Sequence, residues 1–149
     1  MATEGCGCPP TASAGRVHHV FVNVTDMPRA RAFYDWLMPQ LGYATGWGWD
    51  TGYGYLSPQG SFWLKVANPD LSGEAFHKDR VGLCEIAFAA TSRDEVDALG
   101  RALVARGVPV LAPPREYPEY VPGYYAVFFS DPDGMKLELV HIPGFADAG

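Results

Sequence analysis

Three ionisable side chains, His19, Glu85 and Glu138, stand in runs that otherwise read as β-strands. Side chains alternate across a strand, so each run divides by parity into two faces. From Val17 to Val24, one face is Val20, Val22 and Val24, and the other is Val17, His19, Phe21 and Asn23. From Val81 to Ala90, Cys84, Ile86 and Phe88 oppose Leu83, Glu85, Ala87 and Ala89. From Met135 to His141, Leu137 and Leu139 oppose Lys136, Glu138 and Val140. A half-buried carboxylate on such a face must find a cation, a proton or strong hydrogen-bond donors. Taken strand by strand, an ion pair with Lys65 or Lys136 would satisfy it. Three such residues at matched positions favour a shared site. His18 falls at the outer edge of its strand, and His77 and His141 read as surface residues.

The elements that must position these residues are legible in turn. Thr25-Asp26 followed by Pro28 starts a helix, Ala30, Phe33, Leu37 and Leu41 recur at helical spacing, and Gly42 ends it. Aromatic strands follow near Tyr43 to Trp49, Tyr53 to Ser57 and Ser61 to Ala67. After a polar linker, Asn68 to Arg80, the order repeats. A strand runs from Val81 to Ala90, and Ser92-Arg93-Asp94-Glu95 forms a capping box for a helix that carries Val96, Leu99 and Leu103 inward and ends at Gly107. Strands Val108 to Ala112, Tyr124 to Ser130 and Met135 to His141 close the unit, the last two joined by the turn Asp131-Pro132-Asp133-Gly134. A shift of 66 residues lays Ala30, Phe33 and Leu37 on Val96, Leu99 and Leu103, and His19 on Glu85. The expected fold is α+β: two βαβββ modules, about 16–67 and 81–143, forming a cupped, incomplete mixed barrel with helices outside. They make one domain, 16–149, after a small-residue tail, 1–15. With helices on the apolar faces, His19, Glu85 and Glu138 are expected to converge on one concave cavity.

The chain's 149 residues, 48% of them apolar, suffice for one domain with a real core. Apolar runs such as Tyr124 to Phe129 fall far short of the ~20 residues of a membrane helix. A net charge of −6, with scattered Lys and Arg, leaves no footprint for nucleic acid or anionic lipid. Three cysteines, with Cys6 and Cys8 too close for an ordinary disulfide, point to a reducing cytoplasm, and the tail lacks the features of a signal peptide. Cys6-Gly7-Cys8 reads as an incidental pair before it reads as a soft-metal site. The aromatic residues Trp47, Trp49, Tyr53, Tyr55 and Trp63, with Tyr117, Tyr120, Tyr124 and Tyr125, suit a planar small molecule, although periodicity sends about half of them to the core or an interface. Trp47, Trp49, Tyr55, Trp63, Tyr120 and Tyr125 are the expected substrate-binding set. The loop from Pro113 to Gly123 reads equally as a lid or a plain connection. The aromatic excess also suggests a homodimer.

The pattern His18-His19-Val20, Val24-Thr25-Asp26, Phe33-Tyr34 and Leu41-Gly42 resembles the opening of the vicinal oxygen chelate superfamily, which includes glyoxalases, extradiol dioxygenases and fosfomycin- and bleomycin-resistance proteins. The resemblance extends over about 16–143. Tyr124 to Asp133-Gly134 and Leu137-Glu138-Leu139-Val140 resemble its closing strands. It implies that His19, seven residues before Asp26, is the first metal ligand and Glu138 the last, with Glu85 where the family usually carries His. Phe62 to Val66 offers no fourth carboxylate, whether Leu64 or Lys65 takes that place. The implied set, His19, Glu85 and Glu138, is hard and anionic and suits Mn²⁺, Fe²⁺ or Zn²⁺ acting as a Lewis acid on a small oxygen-bearing substrate. Glu85 or Glu138 would act as the base in lyase or isomerase chemistry. Two alternatives stand beside this enzyme: a metal-free binding protein of the bleomycin-resistance type, with Lys65 neutralising a carboxylate, and a metal-free lyase or isomerase.

Overall fold

In chain order the elements are β1 (His19–Val24), α1 (Met27–Gln40), β2 (Ala44–Trp49), β3 (Gly52–Ser57), β4 (Gly60–Val66), a 3-10 turn (Pro69–Leu71), β5 (Ile86–Ala89), α2 (Arg93–Ala105), β6 (Val110–Glu116), β7 (Tyr125–Ser130) and β8 (Lys136–His141). The structure, a computed structural model, describes residues 15–71 and 73–144. The tail with Cys6 and Cys8 lies outside the described residues.

Local chemistry sets both helices. Asp26 is extended at the N-cap and accepts from the Arg29 N–H at 2.7 Å, with Pro28 in the first turn. Gly42, at φ +83°, reverses the chain after Leu41, a conformation that Cβ-bearing residues resist. Ser92 caps α2 by accepting from the Glu95 N–H at 3.3 Å. The Glu95 carboxylate reaches one residue further back than a capping box requires, accepting from the Thr91 N–H at 2.7 Å and its hydroxyl at 2.9 Å.

Two four-stranded mixed sheets result, in the orders β1-β4-β3-β2 and β5-β8-β7-β6. The β1–β4 and β5–β8 pairs are parallel and the rest antiparallel. Neither sheet closes, and the chain is the expected α+β fold of two βαβββ modules. Two strand boundaries move. β5 covers Ile86–Ala89 rather than Val81–Ala90, because β8 supplies ladder partners only for those residues. β6 continues through Pro113 and Pro114 to Glu116, part of the expected loop. As an edge strand with register shifts, it tolerates residues that lack an N–H.

One core cluster unites the modules. It joins Ala30, Phe33 and Leu37 of α1 and Val96, Leu99 and Leu103 of α2 to the backs of both sheets. Burial of each large side chain contributes about 1.5–3 kcal/mol. Polar ties reinforce this junction. Tyr34 Oη donates to Asp131 at 2.8 Å, Asp133 accepts from the Thr25 N–H at 3.0 Å and from Arg29 at 2.8 Å, and Arg106 donates to the Ala32 carbonyl at 3.0 Å. The modules therefore meet through their helix-bearing sides, and the opposite face of each sheet is left open.

Candidate functional site

On the open face of the first module, His19, Phe21 and Asn23 of β1 lie beside Ser61, Trp63 and Lys65 of β4. The next strand places Leu56, Gly54 and Gly52 in the same rows. Those glycines are occupied space: a Cβ at Gly52 would fall 2.0 Å from the Trp49 indole, and one at Gly54 would fall 2.3 Å from the Trp63 indole. Missing side chains leave the space over the strand that the two indoles fill. Trp47 meets Trp63 at 5.1 Å between ring centroids, Trp49 meets it at 5.9 Å, and Phe21 stacks on it at 5.8 Å and 18°. Hydrogen bonds from Trp63 to Ser61 at 2.8 Å and from Trp49 to Thr51 at 3.0 Å fix two of the rings. This shelf is open to solvent, with Trp47 61%, Phe21 49% and Trp49 42% exposed. His19 stands at its end, edge-on to Phe21 at 5.7 Å, with its Nδ1 3.0 Å from that of His18.

The second module's open face is polar and more enclosed. Ala87, Glu138 and Phe128 share a row across β5, β8 and β7. Glu138 is 1% exposed and accepts a short hydrogen bond from Tyr124 Oη. Burial pushes its carboxyl above the usual carboxylate range; Tyr124 and Lys136 act against this, and Glu85 adds to it. The Tyr124 hydroxyl is pushed up in turn, first by burial and then by Glu138. Lys136 Nζ lies 2.7 Å from Glu85 Oε2 and 4.6 Å from the Phe128 ring centroid. Burial alone would lower this lysine's pKa, but the Glu85 carboxylate outweighs it and the ammonium is stabilised. Nearby, Tyr117 stacks on Tyr120 at 5.6 Å and meets Phe128 edge-on at 5.3 Å. Among the described residues, its buried hydroxyl has no hydrogen-bond partner.

The sequence-predicted residues divide between these faces. Trp47, Trp49 and Trp63 build the shelf, and Tyr120 lies in the second module's tyrosine cluster. Tyr55 and Tyr125 do not line either open face. Tyr55 is fully buried on the helix side, paired with Phe62 and donating to Asp35 at 2.7 Å. Tyr125 donates to Asp97 of α2 at 2.7 Å, beneath Arg93. Glu85 and Glu138 share one face, whereas His19 belongs to the other module. The expected grouping of all three as metal donors is not formed among the described residues of one chain. Among the described residues, no group of three or more His, Cys, Asp or Glu is placed to hold a metal ion.

Register also corrects the fourth-strand comparison. Phe21 corresponds to Ala87 by the helix-matched repeat, so their ladder partners Trp63 and Glu138 correspond too. An indole, rather than Leu64 or Lys65, stands where the second module has its carboxylate. Lys65 lines a groove of about 1010 Å³ between β1 and the linker, together with Phe21, Asn23, Phe76, His77 and Leu83. Lys136 takes the neutralising part expected of Lys65. Its place on the same face as Glu138 was readable from parity. The place of Phe21 beside His19 was readable in the same way, but Tyr124 could be chosen over Tyr125 only once the register was known.

Residues 16–139 match the family model of the Glyoxalase/Bleomycin resistance protein/Dioxygenase superfamily. The chain belongs to this superfamily. The uncharacterised Bacillus subtilis protein YqjT is 36% identical over 127 residues, 83% of this chain and 97% of that one. A solved glyoxalase-type structure from Bacillus halodurans is 34% identical with a TM-score of 0.75, covering 86% of this chain and 96% of its own. A glyoxalase/bleomycin resistance protein from Albidiferax ferrireducens T118 is 29% identical with a TM-score of 0.71, covering 86% and 100%. The superfamily implies a divalent metal. Glu85 already holds an ammonium at 2.7 Å, and His19 lies on the other module's face. As placed, the residues of one chain do not fit a three-donor divalent site.

Proposed function

We propose that the protein binds a planar aromatic small molecule, in a pocket completed when the tryptophan shelf of one chain covers the Glu138 face of a second copy. The observation that carries this reading is the open four-ring surface of Phe21, Trp47, Trp49 and Trp63. Stacking and area burial make such a surface a binding site for a flat ligand, and a monomer rarely leaves one uncovered. Among the described residues β1 and β5 are edge strands, and such edges give two copies a way to associate. Tyr124 and Glu138 would then meet the ligand's oxygen-bearing end, with Glu138 placed to exchange a proton. No helix among the described residues is long and apolar enough to cross a membrane. The free, exposed Cys84 supports a reducing, cytoplasmic setting.

A second reading, the metal-dependent lyase or dioxygenase, draws on His19, which the same two-chain pairing would bring toward Glu138 of the other copy. Tryptophan fluorescence titrated with a panel of phenols, quinones and aromatic acids tests the first reading. Saturable quenching is expected, weakened about tenfold or more by Trp63→Ala, the loss of one stacking partner. Quenching unaffected by that substitution, or only monomer in sedimentation at micromolar concentration, would sink it.

A further inference from the structure

Glu85 and Glu138 lie on one face of the second module, and two carboxylates so placed call for a positive charge. The structure supplies it from within the chain. Lys136 leaves β8 on the same face as Glu138, two residues away, and its Nζ reaches 2.7 Å from Glu85 Oε2. It does so across the ring of Phe128, at 4.6 Å from the centroid, and Phe128 is itself the ladder partner of Glu138. The side chain is only 23% exposed and that of Glu85 only 34% exposed, so neither end of the pair is a freely solvated surface group. In the first module the corresponding row pairs His19 with Ser61.

We propose that Lys136 is the resident cation of the second module's face, held against Glu85 and so occupying the carboxylate that a divalent metal would need. An ammonium and a divalent ion cannot both sit against the same carboxylate without strong repulsion, and the lysine is tethered there by the backbone. Its positive charge reaches a ligand through directed N–H donors instead of through open coordination positions. This goes beyond the proposed ligand, which stands or falls separately on the tryptophan shelf.

Mn²⁺ is the probe of choice, because a hard cation avoids the thiols of Cys6, Cys8 and Cys84. Calorimetric titration and thermal melts with Mn²⁺ should be run on the full chain as wild type, Lys136→Met and Lys136→Met/Glu85→Gln. Methionine keeps a stem against Phe128 and removes the charge. If that variant does not fold, Lys136→Gln serves in its place. The wild type should show no stoichiometric Mn²⁺ binding at micromolar metal. Lys136→Met should gain affinity by about tenfold or more, and the double variant should lose that gain. Stoichiometric Mn²⁺ in the wild type, or no gain on removing the lysine charge, overturns the proposal.

Discussion

At corresponding points of their ladders, the first module places Phe21, Trp63 and Gly54 in a row, and the second places Ala87, Glu138 and Phe128. The two modules share element order and strand pairing, yet one face is a shelf of mutually tilted aromatic rings and the other a buried carboxylate with tyrosine and lysine around it. Their backs are alike: both carry core apolar residues against a helix at the same spacing. The repeat thus conserves what folding needs, since each helix must bury a stripe of apolar side chains. The open faces are free to diverge: the first has an indole at its centre and the second a buried carboxylate.

The largest expected effect breaks the comparison at its shared base. Asp131 is buried and accepts from Tyr34 of the first module at 2.8 Å and from the N–H groups of Asp133 and Met135 at 2.9 and 2.8 Å. Asp131→Ala strands those donors and should destabilise the fold by about 3 kcal/mol or more, since each orphaned buried group costs roughly 1–3 kcal/mol. Urea unfolding measures it, and a loss below about 1 kcal/mol would mean that this tie does not join the modules.

A smaller effect sharpens the contrast on the first module's side. Gly54 has an ordinary backbone, so its role is space for the Trp63 indole. Gly54→Ala forces that indole off the strand and should cost about 1–3 kcal/mol, the usual penalty of overpacking. Near-UV circular dichroism of the tryptophans should change with it. An unchanged tryptophan signature would show that the shelf does not depend on the missing side chain.

The smallest effect tests the second module, where the sign matters more than the size. Burial holds the folded Glu138 carboxyl above its ordinary value of 4.5. A raised carboxyl favours the fold fully below the unfolded pKa, and that contribution is lost as pH rises through the folded pKa. Glu138→Gln stays neutral and can still accept from Tyr124. Near neutral pH it should therefore melt at the same temperature as wild type or slightly higher, with any advantage vanishing below pH 4.5. A marked loss of stability near neutral pH in metal-free buffer would show that the ionised carboxylate is an asset to the fold.

Much of the molecule was legible in its residues. Asp26 with Pro28, Ser92 with Glu95, and the terminating glycines set both helices, because capping is a short-range matter of a few backbone N–H groups. Strand parity put His19, Phe21 and Asn23 on one face and Glu138 with Lys136 on another. Parity failed for Tyr55 and Tyr125. In Tyr53-Gly54-Tyr55 it shows that the tyrosines share a face, but not which face is open. The indoles of neighbouring strands claim the glycine side, and the tyrosines turn to the helix. The 66-residue shift of the opening strands and helices does not extend to the last strand, because both the β6–β7 and the β7–β8 connections are longer than their counterparts, which makes Trp63 the counterpart of Glu138.

The sequence by itself thus determined the repeated βαβββ order, the helix limits and the membership of each strand face, since all of these follow from spacing and neighbours along the chain. Only the tertiary structure decided that Lys136 partners Glu85 and that, among the described residues, the three expected donors do not group together. That outcome rests on long-range packing: both modules bury their helix stripes in one common core, which fixes their backs together and turns the faces that carry the chemistry outward.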